Sequence, residues 1–207
     1  MNELIHVRQI SAKLDDHQVF SNLSFTVKKK KKIAIRGDSG TGKSTLLQIL
    51  LGFISVQAGS IEIFGQALVP KNLSYIRQHT SWVPQEYALS NEEVAPFVFS
   101  LFAFKHNRKN MPSRSEVFKV LNAFGLEEKV MDQSFDTLSG GQKQRVLLAV
   151  CILMKRPLVL LDEPTSALDQ RAVDKVIDYC FSLKDTTIVA ATHDQRWIDH
   201  CDKAVDI

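Results

Sequence analysis

Eight residues, Gly37-Asp38-Ser39-Gly40-Thr41-Gly42-Lys43-Ser44, restrict the fold of this 207-residue chain more than any others. They complete the pattern G-x-x-x-x-G-K-[S/T]. The strand-like Ile33-Ala34-Ile35 precedes them, and a helical stretch carrying Leu46, Leu47, Ile49, Leu50 and Leu51 follows. Strand, glycine-rich turn and helix in that order make a loop whose backbone N–H groups converge on phosphate oxygens. The helix start adds partial positive charge. Lys43 is expected to reach the β- and γ-phosphates of a nucleotide and Ser44 to ligand Mg²⁺, with Thr45 beside it.

A second feature lies far downstream. Leu158-Val159-Leu160-Leu161 runs into Asp162-Glu163. A continuous aliphatic run suits a parallel strand buried on both faces. A helical pattern, Gln170 to Lys184, and another such strand, Thr187 to Ala191, come next. Strand, helix and strand in succession favour an α/β layered fold. Asp162 is the expected Mg²⁺ partner, through water, which leaves Glu163 free to polarise an attacking water as general base. Alone, two acids at a strand end are equally explained by a strand meeting solvent. The phosphate loop upstream favours the chemical reading.

Between them lies Leu138-Ser139-Gly140-Gly141-Gln142, a small-residue turn ahead of a helix from about Gly141 to Lys155, stopped before Pro157. Alone it is a helix-starting loop. Beside a phosphate loop, this second Gly-rich helix start suggests a nucleotide gripped between two copies of the protein. The rest of the middle is helical in character. Ser113-Arg114-Ser115-Glu116 is a capping box, Val117, Val120, Leu121 and Phe124 repeat at helical spacing, and Gly125 ends the helix. Towards the N-terminus, Val19 to Val27 and Ile61 to Phe64 read as strands, the latter closed by Gly65.

Charge and cysteines narrow the function. The formal net charge is +3, but Lys28 to Lys32 alone supply five positives, and without them the balance turns negative. No nucleic-acid surface is expected from so local a basicity. The lysine run is a solvated hairpin tip or, alternatively, a contact for acidic lipid headgroups. Cys151, Cys180 and Cys201 show neither metal-ligand spacing nor a disulfide framework, which fits a reduced compartment. The N-terminus lacks a signal peptide's apolar centre. The longest apolar runs are Val146 to Met154 and Val94 to Phe104, the second broken by Pro96 and Ser100. Both are too short to span a bilayer, so a role at a membrane needs a partner that spans it.

Together these residues resemble the ATP-binding-cassette ATPases. The phosphate loop, LSGGQ and the Asp162-Glu163 strand end stand in that family's order, and three further stretches match it. Trp82-Val83-Pro84-Gln85-Glu86 resembles its Q-loop, with Gln85 sensing Mg²⁺ and the membrane partner. Ser166-Ala167-Leu168-Asp169 resembles its D-loop. Thr192-His193-Asp194 resembles its switch histidine, which contacts the γ-phosphate. Asp169 has a plainer reading too, as the cap of a helix beginning at Gln170.

The resemblance spans about Leu4 to Ile207 and implies a single domain. Residues 1–85 and 156–207 would form a P-loop core, with a mainly parallel sheet and an N-terminal antiparallel β subdomain. Residues 86–155 would form an inserted helical subdomain carrying the signature. It further implies ATP and Mg²⁺ as cofactors, and a head-to-tail dimer, of two copies or with a paralogue. ATP would lie between the phosphate loop of one protomer and Ser139, Gly140, Gly141 and Gln142 of the other. A separate transmembrane permease would hold the pair at the inner face of the cell membrane.

Two departures stand out. Leu14 and His17 lie where the family places an aromatic to stack on adenine, and Phe20 fits the core better. The lysine run occupies the place of a Gly-containing turn. Tyr87 to Phe104 is more apolar than one amphipathic helix needs. It reads first as subdomain core, and otherwise as part of a groove for a helix of the membrane subunit.

The leading expectation is an ATPase subunit that energises an ABC transporter. Its compact length resembles the stand-alone ATPases of small bacterial exporters. The alternatives are a soluble ABC ATPase of the cofactor-assembly scaffold type and a phosphate-loop kinase. The kinase has no use for LSGGQ or Glu163.

Overall fold

The computed structural model describes residues 2–14, 17–87 and 92–207. The chain opens with two long strands, β1 (Glu3–Leu14) and β2 (His17–Lys28), paired antiparallel with several bulges. Next come β3 (Lys32–Arg36), α1 (Lys43–Leu50), β4 (Ala58–Ile63), β5 (Gln66–Ala67), α2 (Pro70–Gln78) and β6 (Thr80–Val83). Three helices occupy the middle: α3 (Val94–Ala103), α4 (Arg114–Ala123) and α5 (Gly140–Leu153). The end alternates β7 (Leu158–Asp162), α6 (Gln170–Ser182), β8 (Thr187–Ala191), α7 (Gln195–His200) and β9 (Lys203–Asp206).

The strands sort into two sheets. One is antiparallel, in the order β2-β1-β4-β5. The other is parallel throughout, in the order β6-β7-β8-β3-β9. Every residue of β7 and β8 is buried. Because side chains alternate across a strand, β7 feeds two cores. Leu158 and Leu160 join Leu46, Leu47 and Leu50 of α1 and the inner face of the antiparallel sheet. Val159 and Leu161 join α3, α4, α5, α6 and Trp197 of α7. Truncating Leu160 to Ala would cost about 2–5 kcal/mol, because it opens a cavity in a packed layer.

The parallel sheet also places the site. β3 lies between β8 and β9, yet the next parallel strand along the chain, β6, is at the far edge. Such reversals of strand order open a crevice at the carboxyl ends of the strands. The segments after β3, β6, β7 and β8 all leave from that edge. They carry Gly37 to Ser44, Gln85, Glu163 and His193 respectively, and Asp162 is the last residue of β7.

Three expectations need correction. Pro96 does not break its apolar run, because it sits in the first turn of α3, where a backbone N–H has no intrahelical partner to lose. Val94, Ala95, Val98 and Phe102 are core, Phe97 and Phe99 pack against it, and Phe104 is exposed. The part of the Tyr87 to Phe104 run at 88–91 lies outside the described residues.

The lysine run is not a hairpin tip, since β2 and β3 belong to different sheets. Lys30 pairs with Asp185 at 2.6 Å and Lys31 with Asp202 at 2.7 Å. Lys32 is buried and its Nζ donates to the carbonyls of Leu183 and Thr186. Burial pushes the Lys32 ammonium below its ordinary value, with Asp202 pulling the other way. Lys28 and Lys29 are exposed and form no ion pair among the described residues.

Finally, α2 and β6 had no place in the sequence expectations. α2 opens on Pro70 at its first position, a residue that reads more readily as loop.

Candidate active site

β3 ends at Arg36, and the chain turns through Gly37 to Gly42 into α1. Gly42 is the residue before the helix and has φ 99°, a left-handed conformation. A Cβ there would also meet a Val19 methyl at 2.2 Å, so glycine is required on both counts. No side chain caps α1. Its first N–H groups therefore face the loop without an intrahelical partner, as an anion site needs. Thr41 Oγ1 donates to the Asp38 carbonyl at 3.0 Å and braces the turn. Lys43 is buried, and its Nζ donates to the carbonyls of Gly37 (2.9 Å) and Asp38 (2.8 Å).

The loop forms one wall of a cleft of about 640 Å³. Gly37, Asp38, Ser39, Gly40, Gly42, Lys43, Ser44 and Thr45 line it. Gln85 after β6, Glu163 after β7, Ser166 and His193 after β8 complete the lining. Asp162 lies behind, buried at the end of β7, and accepts a hydrogen bond from the Ser44 hydroxyl at 3.0 Å. Burial raises the Asp162 carboxyl above its usual range, and repulsion from Glu163 adds to this. The Ser44 hydroxyl and the Lys43 charge oppose the rise.

Glu163 has an unusual backbone. Its φ is 46°, a left-handed conformation that costs a non-glycine residue about 1–2 kcal/mol. Strain of this kind persists where surrounding bonds over-determine it. Here the Glu163 N–H donates to Ala191 at the end of β8 (2.8 Å). Its carbonyl accepts from Ser166 N–H (3.3 Å), Ser166 Oγ (3.0 Å) and Gln144 Nε2 (2.7 Å). One carboxylate oxygen, Oε1, lies 3.0 Å from His193 Nδ1, whose ring is largely exposed. The other, Oε2, is buried and has no hydrogen-bond partner among the described residues. An orphaned buried acceptor is expensive, and a donor arriving there, such as a water, would relieve it.

Ser139, Gly140, Gly141 and Asp169 line a different concavity, of about 320 Å³, together with Arg145, Ala167, Leu168 and Ala172. Ser139 caps α5: its hydroxyl oxygen accepts from the Gln142 N–H (3.2 Å), while Gln142 Oε1 accepts from the Ser139 N–H (2.8 Å). S-x-x-Q at this Gly-rich helix start is the sequence pattern of a capping box. Asp169 caps α6 through Ala172 N–H at 2.9 Å, as its plainer reading anticipated. One chain thus brings the phosphate loop together with Gln85, Glu163 and His193, and sets the signature residues apart from them.

Two contributors carry no site role in the sequence reading: Ser166, there only the start of the D-loop stretch, and Gln144. Ser166 lines the cleft itself. Gln144 is buried in α5 and bonded to Glu163. A glutamine two positions past LSGGQ carries no signal in a single sequence, since exposed helical glutamines are ordinary. At the adenine end, Leu14 is exposed, Phe20 is buried in the core, and residues 15 and 16 lie outside the described residues.

Among the described residues no group of three or more His, Cys, Asp or Glu could hold a metal unaided. Ser44 and Asp162 offer two oxygen ligands side by side. That donor set fits Mg²⁺, which prefers one or two protein oxygens plus phosphates and retained waters.

Comparison with known proteins gives a consistent answer. A family model described as ABC transporter matches residues 20–166. A probable ABC transporter ATP-binding protein, PEB1C of Campylobacter jejuni, is 32% identical over 203 residues, covering 92% of this chain and 81% of that protein. The ergothioneine transport ATP-binding protein EgtV of Helicobacter pylori is 30% identical, over 95% of this chain and 92% of its own length. The structure matches cbiO1 of Clostridium perfringens, part of the ABC transporter complex cbiONQ, with a TM-score of 0.82 and 25% identity. That match covers 100% of this chain and 85% of the other. It also matches a bacterial Atm1-family ABC exporter solved with ATP bound, at a TM-score of 0.84 and 25% identity, covering 100% of this chain and 37% of that one.

Proposed function

The chain belongs to the ABC transporter ATP-binding family, and on that premise we propose that two copies, or one copy and a paralogue, close head to tail around ATP. The chain is an ATPase subunit of the transporter type. The soluble scaffold alternative and the kinase alternative give way, because the relatives carry transporter names. The observation that carries the proposal is the separation within one chain. The cleft holds the phosphate loop, Glu163 and His193, while Ser139 to Gly141 open into another concavity. A second protomer facing the first supplies the missing wall.

In the proposed mechanism the triphosphate lies on the N–H groups of Gly40 to Thr45. Lys43 leaves the carbonyls of Gly37 and Asp38 for the β- and γ-phosphate oxygens, which are stronger, charge-assisted acceptors. Ser44 and Asp162 would hold Mg²⁺, which neutralises phosphate charge when bound, with Gln85 at the rim beside it. Glu163 Oε2 accepts a proton from the water that attacks the γ-phosphorus, as ADP leaves with the bridging oxygen. His193 holds the other carboxylate oxygen and faces the γ-phosphate. Across the interface, the Ser139 hydroxyl keeps its acceptor role in the cap and donates its own proton to the γ-phosphate. Gly140 and Gly141 add backbone N–H groups, Gln142 holds the cap that positions them, and Asp169 lines the same seam. Loss of the γ-phosphate removes these contacts and the pair opens.

No helix among the described residues is long and apolar enough to cross a membrane. A separate permease subunit is therefore the proposed partner, with this chain on its cytoplasmic side, where ATP is supplied. Phe53 is exposed, with the ring of Trp82, three residues before Gln85 in the chain, at 5.6 Å and the Arg77 guanidinium 4.7 Å above the Phe53 ring. That aromatic patch is the proposed seat for a helix of the membrane subunit.

Light scattering on Glu163→Gln tests the sandwich. Monomer mass without nucleotide and dimer mass with Mg-ATP are expected. A protein that binds ATP yet stays monomeric at every concentration would overturn closure between copies.

A further inference from the structure

Gln144 is among the most deeply buried polar side chains of the molecule, 4% exposed, yet it belongs to neither the phosphate cleft nor the signature concavity. It sits on α5 a little over one turn beyond Ser139. Both ends of its amide are used. Nε2 donates to the Glu163 carbonyl at 2.7 Å, and Oε1 accepts from the Ala167 N–H at 3.2 Å. The amide therefore ties the helix that begins at the signature to the backbone of the same chain's Glu163 and to the loop that leads to Asp169.

A second contact runs alongside it. A Cβ on Gly141 would come within 2.7 Å of the Ala167 carbonyl oxygen and 3.4 Å of Leu168. The first turn of α5 thus lies directly on residues 167–168, with no side chain to cushion relative movement. Glu163 itself is held in a left-handed conformation by bonds from both sides, Ala191 from β8 and Gln144 from α5. Its carboxylate direction follows from that backbone, because φ at Glu163 sets where the side chain leaves the chain.

We infer that Gln144 is a positioning residue that makes each protomer's Glu163 responsive to the nucleotide held on the same protomer's signature helix, coupling the two ATP sites of the dimer. This rests on the head-to-tail reading above. A γ-phosphate presented by the partner to Ser139 loads the start of α5. A packed helix moves as a rigid body, so the load reaches Gln144. Gln144 then sets the Glu163 backbone of its own site, whose nucleotide is the other one of the pair. The sites communicate through one hydrogen-bonded element that both can bias, the requirement for coupling between binding sites.

The test compares wild type, Gln144→Met and Gln144→Glu as full-length chains. Methionine keeps the volume and removes both bonds. Glutamate keeps an acceptor for Ala167 but lacks the donor to Glu163 unless protonated. For Gln144→Met, kcat is expected to fall roughly 10²-fold, since small misplacements of a reacting group cost that much. Affinity for ATP should stay within about twofold, and the Hill coefficient of turnover against ATP should fall to about 1. For Gln144→Glu, kcat relative to wild type should rise as the pH is lowered from about 9 to about 6, as a buried carboxyl regains its proton and its donor. Unchanged kcat and Hill coefficient in both variants would overturn the inference. So would a loss of activity matched by loss of ATP binding and of melting temperature, with no pH rescue, because that pattern belongs to a purely structural glutamine. If Glu163→Gln fails to dimerise with Mg-ATP, closure between two copies falls and, for such a pair, this inference with it. If it dimerises and the Gln144 variants behave as wild type, only the inference falls.

Discussion

Two helix starts in this protein use similar residues to opposite effect. α1 begins after Gly42 with no capping side chain. α5 begins after Ser139 with a complete capping box. At α1 the unpaired N–H groups, the left-handed glycine and a buried lysine make a site that is ready for phosphate within one chain. At α5 the capping box already satisfies the N–H groups of Ser139 and Gln142, which leaves those of Gly140 and Gly141 for a phosphate. This end gains by adding a donor only when a phosphate is brought to it. One end therefore binds alone and the other completes a site in trans. The difference teaches that a glycine-rich helix start is a ligand site only to the extent that its own side chains leave its N–H groups free.

Substitutions at the two ends should separate along this line. The largest effect is expected at the chemistry itself. Glu163→Gln should lower phosphate release by about 10²- to 10⁴-fold, the usual weight of a general base, and leave ATP binding in place. Turnover near wild type would remove Glu163 from the role of base. Next, Ser139→Arg should reduce turnover by about 10²-fold, as loss of a transition-state donor does, while ATP binding to the monomer is kept. An equal loss of ATP binding to the monomer would erase the distinction between the two ends.

Lys43→Ala acts at the other end and should fail at the binding step. Removing a charge-assisted bond worth about 1.5–3 kcal/mol weakens nucleotide affinity by roughly tenfold or more, as a fluorescent-nucleotide titration would read. The smallest effect tests the cap. Gln142→Ala removes one half of the capping box at a cost of about 1 kcal/mol, so the melting temperature should drop by about 2–4 °C. A Gln142→Ala protein as stable as wild type would mean the box contributes nothing and α5 is as open as α1.

Much of the parallel sheet was legible before any coordinates. β7 and β8 announce themselves as aliphatic runs because both faces are buried, and the phosphate loop fixes what comes before and after β3. The middle was harder. Pro96 looked like a breaker, and only its place in the first turn of α3 makes it harmless. α2 was hidden by its opening proline and a mostly exposed, polar face. The lysine run misled for another reason. Sequence shows charge but not which acids lie across the fold, and Asp185 and Asp202 are more than 150 residues away. The site residues were legible as motifs, one by one. What no motif carries is the left-handed backbone of Glu163 and the buried amide of Gln144 that braces it. Both depend on tertiary contacts between α5 and the end of β7, which local spacing does not encode.

The central claim is that the two helix starts serve one ATP from opposite chains. Mixing Lys43→Ala chains with Ser139→Arg chains tests it most directly, by the rate of phosphate release. Each variant alone has two broken sites and, at ATP held well below the concentration that Lys43→Ala needs for binding, should be nearly inactive. The mixture contains pairs in which one site joins an intact phosphate loop to an intact Ser139. Activity should return on mixing, to at most about half that of wild type because one site of each pair stays broken. If the mixture is no more active than its two components, the signature does not act in trans and the account fails.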